Sequence, residues 1–299
     1  MSDLVVVGVD GSVESDAAVR WAAARVQHHG GRLRLVHAHP APMAVPAIPF
    51  FAADPASEGD LADYLRAGEA VLKAARQVAG DRVDAAAVTT DLEPGGASAV
   101  LVDASTKADL VVVGSRGHGG FAGLLLGSVS SQLATHAHCP TVVVRGQAPS
   151  DGAVVVGVDG SEPSNAAVAF AFAEASRLGA RLVAVHAWSV PLPTGPAEAA
   201  AMLSSGYNRE RYEQAAQQVL AGALRPGRER YPDLPVEART VEANAADALL
   251  AADERPAMVV VGSRGHGGFA GLLLGSTSQS VLHHASCPVA VIRPAAAGD

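Results

Sequence analysis

Short apolar runs alternate with longer amphipathic segments along both halves of the chain. The first run, Leu4–Val9, is continuously apolar and rich in β-branched residues, which predicts a buried strand. A helical pattern follows, and Gly30-Gly31 is suited to end that helix. The alternation continues to residue 145. The strands predicted in this half are Leu4–Val9, Arg32–Ala38, Arg82–Thr90, Ala108–Val113 and Thr141–Arg145.

Four helices are predicted between these strands. Ser12 or Ser15 is suited to cap the first helix, because a hydroxyl can accept from its free N–H groups. The later helices are predicted at Gly59–Ala79, Ala97–Thr106 and Ser128–Ala137, and residues 40–57 read as a proline-rich loop.

The second half repeats this order of elements. We therefore predict an α/β fold with two tandem domains, residues 1–146 and 152–299, joined by a short linker over Gly146–Gly152. Each domain should be a five-stranded parallel sheet with helices on both faces, as in Rossmann-like folds. The strands predicted in the second half are Ala153–Val158, Arg181–Ala187, Val236–Val241, Ala257–Val261 and Val289–Arg293.

Two blocks of sequence occur twice. Val111–Ser128 and Val259–Ser276 both read VVVGSRGHGGFAGLLLGS, and Val5–Ser12 and Val154–Ser161 both read VVVGVDGS. Both blocks place an apolar strand directly before a glycine turn, which is typical of a nucleotide site in an α/β sheet. If the first and fourth strands are neighbours, the two blocks of each half end at one crevice.

The glycine spacing predicts a phosphate-binding turn in each half. The first half reads Gly114-x2-Gly117-x9-Gly127-Ser128, and the second repeats this from Gly262. Glycines permit positive φ angles and close approach to a ligand, and the free N–H groups of a following helix favour phosphate. The hydroxyls of Ser130 and its neighbours are further candidate donors. No Gly-Lys-Ser/Thr follows, so this is not a Walker A loop.

An aspartate ends the first strand of each half, Asp10 and Asp159. A carboxylate at this place can accept hydrogen bonds from a ribose or an adenine amine. It can also cap the next helix, and the sequence leaves both roles open.

Composition narrows the class of protein. The chain has 299 residues and a formal net charge of −8, without a run of Lys or Arg that would favour nucleic acid. No apolar stretch reaches the ~20 residues that a membrane-spanning helix needs, and no signal peptide is visible. Two cysteines, Cys139 and Cys287, fit a reducing compartment. We expect a cytoplasmic protein without nucleic-acid or membrane partners.

These motifs resemble the universal stress proteins, in their ATP-binding subgroup and in the tandem form common in actinobacteria. The resemblance rests on the G-x2-G-x9-G-S/T spacing, the VGVDGS opening and the VHA of the second strand, and covers nearly the whole chain twice. It implies an adenine nucleotide alpha hydrolase-like fold that binds two ATP per chain, with Mg²⁺. The binding residues it implies are Asp10, Ala38, Val113, Gly114, Gly117, Gly127, Ser128, Val129 and Ser130, and Asp159, Ala187, Val261, Gly262, Gly265, Gly275, Ser276, Thr277 and Ser278.

The resemblance also guides the expected function. It implies a regulator or sensor of the stress response that holds ATP and acts on an unidentified protein partner. The alternative is a slow ATPase or an ATP-dependent transferase, but the repeated blocks show no catalytic base or lysine. A flavin or dinucleotide carrier is disfavoured, because the glycine pattern follows the fourth strand and not the first.

The remaining candidates carry alternative interpretations. Arg116 and Arg264 are better phosphate partners than His118 and His266, because a guanidinium stays charged. Two groups containing Cys139 and Cys287 lack zinc-ligand spacing, and their histidines suit helix C-termini. The last strands, as exposed edges, are predicted to pair with each other or across a homodimer. The halves should differ most between the apolar loop Met43–Phe51 and its shorter counterpart, Ser189–Pro196.

Overall fold

A computed structural model of the chain describes residues 3–39, 58–117, 126–146, 152–190, 195, 209–265 and 273–294. The chain divides into two compact units, Met1–Gly146 and Gln147–Pro294. The apolar loop Met43–Phe51, most of the linker and most of Ser189–Pro196 lie outside the described residues. Predictions about those segments stay predictions.

The first unit has five strands and four α-helices among its described residues. Its elements are β1 (Leu4–Gly8), α1 (Val13–His29), β2 (Arg32–His39), α2 (Glu58–Gly80), β3 (Val88–Pro94), α3 (Ala97–Ala104), β4 (Leu110–Gly114), α4 (Ser128–His136) and β5 (Thr141–Val144). The helix α1 packs beside α2, and α3 packs beside α4.

The second unit repeats this order. Its elements are β6 (Val154–Gly157), α5 (Glu162–Leu178), β7 (Leu182–Trp188), α6 (Arg209–Arg230), β8 (Val236–Glu242), α7 (Ala245–Leu250), β9 (Met258–Gly262), α8 (Ser276–His284) and β10 (Val289–Ile292). Here α5 packs beside α6, and α7 beside α8. Each unit therefore has the predicted α/β fold, a parallel sheet flanked by helices.

The strand order within each unit explains where the repeated blocks meet. The first unit has the order β3-β2-β1-β4-β5, and the second has β8-β7-β6-β9-β10, with parallel pairing throughout. In the first unit the chain proceeds outward from β1 to β3 and then returns to the other side of β1 with β4. The order thus reverses between β1 and β4, and between β6 and β9, where ligands bind in open α/β sheets.

One predicted strand begins six residues too early. Arg82–Thr90 was expected to be extended, but Ala85–Ala87 form a 3-10 turn, and β3 begins only at Val88. The Asp84 carboxylate accepts from the Ala86 amide at 3.0 Å and holds this turn. The register pairs Leu33 of β2 with Val88, so β2 offers almost no backbone beyond that point for an earlier residue to pair with.

The core of each unit is built from the sheet and small helix side chains. The valines of β1, β4, β6 and β9 are buried on both faces, which is why these strands read as continuous apolar runs. Alanines of α1 and α5 pack closely on the sheet. The largest fully buried side chain is Phe172 of α5.

Among the described residues, no helix combines the length and the apolar character that crossing a bilayer requires.

Both cysteines are buried before the last strand of their unit, and we predict that their thiols react slowly. Burial raises the pKa of Cys139 to about 12 and the pKa of Cys287 to about 11. Because the thiolate is the reactive form, alkylation at pH 8 should be at least about a hundredfold slower in native protein than in denatured protein. Timed iodoacetamide labelling with mass spectrometry measures this, and rapid labelling of the native chain would contradict the burial.

Candidate functional site

The ends of β1 and β4 enclose a cavity of about 440 Å³ in the first unit. Asp10, from the first repeated block, and Gly117, from the second, both line this cavity. This is the arrangement expected if β1 and β4 are neighbouring strands. The first turn of α4 and the end of β2 complete its wall. The predicted residues that line this cavity are Asp10, Ala38, Val113, Gly114, Gly117, Gly127, Ser128 and Val129.

The second unit holds an equivalent cavity of about 490 Å³. The ends of β6 and β9 and the first turn of α8 surround it. The predicted residues that line it are Asp159, Ala187, Val261, Gly262, Gly265, Gly275, Ser276, Thr277 and Ser278. Seventeen of the eighteen predicted residues thus border one of two cavities, and Ser130 is the exception.

The aspartate of each site is fixed by the turn that follows it. Asp10 Oδ1 accepts from the Ser12 amide at 3.0 Å and from its hydroxyl at 2.6 Å. The Ser12 hydroxyl in turn accepts from the Ser15 amide at 3.1 Å, so Ser12 is the N-cap of α1. Asp10 therefore supports the cap and does not form it. Asp159 and Ser161 repeat these contacts before α5.

Glycine is required after β4 for steric reasons. A Cβ on Gly114 would lie 2.6 Å from the backbone carbon of Glu14, and one on Gly117 would lie 2.1 Å from Asp10 Oδ2. The counterparts Gly262 and Gly265 approach Pro163 and Asp159 in the same way. The small size of glycine lets the two repeated blocks touch.

The expectation of positive φ at these glycines is wrong. None of the six glycines of the spacing pattern has a positive φ, and Gly127 and Gly275, the N-caps, have φ of −75° and −74°. The positive φ angles of the motifs are instead at Gly11 and Gly160, both +83°, in the turn after the aspartate. That turn is where an L side chain would be strained.

The first turns of α4 and α8 present free amides to the cavities. Within the described ranges, no side chain caps either helix at Gly127 or Gly275. The first N–H groups of such a helix have no intrahelical partner, and its dipole favours an anion. A Cβ on Gly127 would meet nothing closer than 3.4 Å, so the packing of the protein itself tolerates a side chain there.

Ser130 and Ser278 join the strand to the helix. The Ser130 hydroxyl is buried and donates to the Gly114 carbonyl at 2.7 Å, and the Ser278 hydroxyl donates to the Gly262 carbonyl at 2.6 Å. The prediction that the hydroxyls of Ser130 and Ser278 donate to phosphate is therefore corrected, because the proton of each is already engaged. Their neighbours Ser128, Ser276 and Thr277 keep hydroxyls on the cavity walls.

One arginine borders each site, and a second arginine lies near it. Arg116 and Arg264 border the cavities. Burial and the charge of Arg116 lower the pKa of Arg145, and burial and the charge of Arg264 lower the pKa of Arg293 in the same way. An anion at either site would therefore lie beside one guanidinium, with a second cation near that guanidinium.

None of the remaining histidine candidates that the structure describes joins these sites. His118 and His266 lie outside the described residues. His136 and His284 donate from Nδ1 to the carbonyls of Gln132 and Ser280, at 3.1 and 2.8 Å, and so stay at their helix C-termini. Of the residues that the structure places, no three His, Cys, Asp or Glu side chains come together as a metal cluster would require.

Sequence reasoning missed several lining residues. Leu101 of α3 and Leu249 of α7 border the first and second cavities, as do Ser15 and Ser164. The two leucines occupy matching positions in helices outside the repeated blocks, so only comparison of the two halves could have found them. His37, whose Nδ1 donates to the Val9 carbonyl at 2.7 Å, also lines the first cavity.

A third cavity of about 630 Å³ lies between α5 and α6 of the second unit. It shares Asp159 with the equivalent site but is walled mainly by small and apolar helix residues, and includes neither the glycines after β9 nor the first turn of α8. Nothing in its wall offers a row of free amides. It therefore lacks the feature that would favour a phosphate.

A parallel α/β unit with an amide-lined crevice at the strand reversal belongs to the class of nucleotide-binding folds. Comparison with known proteins identifies the family. A sequence model of the universal stress protein family matches residues 1–145 and 152–293. The chain therefore belongs to the universal stress protein family, with two such domains in tandem.

Full-length relatives agree with this assignment. A universal stress protein of Mycolicibacterium smegmatis is 40% identical over 302 residues, covering 97% of each chain. One of Mycobacterium tuberculosis is 38% identical over 298 residues, covering 97% of this chain and 96% of the relative. The crystal structure of a universal stress protein from Archaeoglobus fulgidus matches with a TM-score of 0.67 at 19% identity, covering 98% of this chain and 97% of that one, and supports the fold.

Proposed function

We propose that each unit binds one adenine nucleotide, ATP with Mg²⁺, and that the chain serves as a cytoplasmic stress-response regulator or sensor with little or no turnover. The observation that carries this proposal is the convergence of Asp10, Gly117 and the free amides of α4 on one cavity, repeated in the second unit. Each cavity falls in the 300–1,000 Å³ range of small-molecule sites.

The donor set fits a nucleoside phosphate. The uncapped first turn of α4 favours the phosphates. The absence of a side chain at Gly127 leaves space there, although the surrounding protein atoms would tolerate a Cβ. Asp10 Oδ2 faces Gly117 on the wall of the same cavity, where a carboxylate can accept from ribose or adenine. Ala38 lines this cavity, so an adenine has a small, apolar neighbour.

Mg²⁺ would be held mainly by phosphate oxygens and water, as is usual for this ion. The hydroxyls of Ser128 and Ser276 lie on the cavity walls and would be suited to join it. Bound to the phosphates, the ion would neutralise their charge. The residues of the chain would position the nucleotide and exclude water around its base.

Mass spectrometry of small molecules released from the purified protein, with titration calorimetry of the emptied chain, tests binding. We expect two adenine nucleotides per chain. Failure of ATP, ADP and AMP to bind, with and without Mg²⁺, would refute the proposal.

Single-turnover measurement with labelled ATP and Mg²⁺ separates the regulator from the slow ATPase or transferase. The repeated blocks carry no catalytic lysine, so we expect no turnover in the ordinary enzyme range of about 1–10³ s⁻¹. A rate within that range would favour the enzyme. The prediction that last strands mediate dimerisation or domain pairing stays a prediction.

A further inference from the structure

The two sites differ at the first turn of the helix that follows β1 or β6. Glu14 is the second residue of α1, and Pro163 is the second residue of α5. The glycines after β4 and β9 identify them as structural counterparts. A Cβ on Gly114 would lie 2.6 Å from the backbone carbon of Glu14, and a Cβ on Gly262 would lie 2.8 Å from that of Pro163.

This difference changes the electrostatic state of the arginine at the site. Arg116 Nη2 lies 3.2 Å from Glu14 Oε1, so a carboxylate shares this guanidinium with any bound phosphate. Proline offers Arg264 no such partner. Glu162 is also in the first turn of α5, but over the part of the chain that the structure describes neither it nor any other carboxylate pairs with Arg264.

The neighbouring cations are the same in both units. Arg145 stands near Arg116, and Arg293 stands near Arg264. Asp10 and Asp159 also correspond. The first site therefore carries one more negative charge beside its phosphate-facing arginine than the second.

A second difference acts in the same direction. Val129 occupies the first turn of α4 on the cavity wall, whereas Thr277 occupies the same position of α8. Threonine adds a hydroxyl that can donate to a phosphate oxygen, which valine lacks. Residues 118–125 and 266–273 are identical in sequence, so they do not add to the difference.

We propose that the two sites select nucleotides by phosphate charge, the second favouring triphosphates over monophosphates more strongly than the first, with Glu14/Pro163 and Val129/Thr277 as the discriminating positions. This inference rests on the proposed function. Glu14 competes with the terminal phosphates for Arg116, and its cost grows with the charge of the ligand. The residues proposed to contact ribose and adenine, Asp10 and Ala38, recur as Asp159 and Ala187 in the second site. Occupancy of the second site by ATP should then depend less on competing AMP than occupancy of the first site does.

The test isolates each site with one substitution. Gly265→Val leaves the first site, and Gly117→Val leaves the second. Titration calorimetry gives Kd for ATP and for AMP on each chain, in EDTA and in Mg²⁺. We expect the ratio Kd(AMP)/Kd(ATP) to be about fivefold larger for the second site, which is the size of a well-formed exposed charge contact.

Reciprocal substitutions assign the effect to the named residues. Glu14→Gln should raise the ratio of the first site about threefold with AMP affinity little changed, and Glu14→Asp should leave it near the parent value. Pro163→Glu should lower the ratio of the second site. Should a valine variant not fold, Glu14→Gln in the otherwise unchanged chain should tighten the weaker of two ATP binding steps.

The outcomes separate this inference from the function on which it rests. Equal ratios at the two sites would overturn the inference while nucleotide binding stands. Weaker ATP binding by Glu14→Gln in Mg²⁺ would assign Glu14 to the metal and would also overturn it. Absence of ATP and AMP binding by the unsubstituted chain would overturn the proposed function, and the inference with it.

Discussion

Replacing Gly117 by valine should reduce the nucleotide content from two per chain to one, and replacing Gly117 and Gly265 together should remove both. A Cβ on Gly117 would lie 2.1 Å from Asp10 Oδ2, and one on Gly265 would lie 2.3 Å from Asp159 Oδ2. Asp10 cannot move aside freely, because its other oxygen accepts two hydrogen bonds from Ser12. Either the carboxylate or the glycine turn must leave its place in the site.

The expected loss at the substituted site is at least about a hundredfold in affinity, since several contacts to a charged ligand are displaced together. Titration calorimetry and native mass spectrometry measure affinity and count. Gly80→Ala is the matched control, because a Cβ there would meet nothing within 4 Å, and it should keep both nucleotides. Loss of both nucleotides after the single Gly117→Val change would show that the sites are coupled.

Replacing Phe172 by alanine should destabilise the second unit by about 3–5 kcal/mol, the usual cost of deleting a buried aromatic ring. Phe172 is fully buried in α5 and stacks with Tyr231 at a centroid distance of 6.0 Å. It also fills the space beside Gly227 of α6, where a Cβ would lie 2.2 Å from the ring.

Denaturant unfolding with hydrogen exchange, followed by mass spectrometry, measures the size of this loss and the unit in which it occurs. Phe172→Leu retains most of the apolar volume and should cost about 1.5 kcal/mol. The position that corresponds to Phe172 in α1 is Ala23, so the first unit is packed differently there and should keep its protection. Equal loss of protection in both units would mean that the chain unfolds as one cooperative body.

The sequence predicted the elements that matter most for the site. The strands β1 and β4 are buried on both faces, so each is a continuous apolar run. Such a run can be recognised in the sequence without knowing which strands lie beside it. If the two strands are neighbours, their ends meet at one crevice, and the structure confirms that β1 pairs with β4. Asp10 and Gly117 could therefore be placed at one crevice although more than a hundred residues separate them.

Contacts that depend on tertiary packing could not be predicted. The early start assigned to β3 failed because pairing with β2 decides where a strand begins, and β2 begins at Arg32. The ion pair between Arg116 and Glu14 joins residues 102 apart, and neither residue type nor spacing indicates it. The glycine spacing also could not show why Gly114 must be glycine. The reason is the close approach of the Glu14 backbone and not a positive φ angle.

The hydroxyl of Ser130 ties the carbonyl of Gly114 to the start of α4, and Ser278 does the same for Gly262. The amides of that first turn are thus already oriented before any ligand arrives, so capture of an anion costs little ordering of the chain. The empty and nucleotide-bound states of a unit would then share the same conformation at this first helical turn. Any conformational change that nucleotide binding causes would then have to occur in other parts of the site.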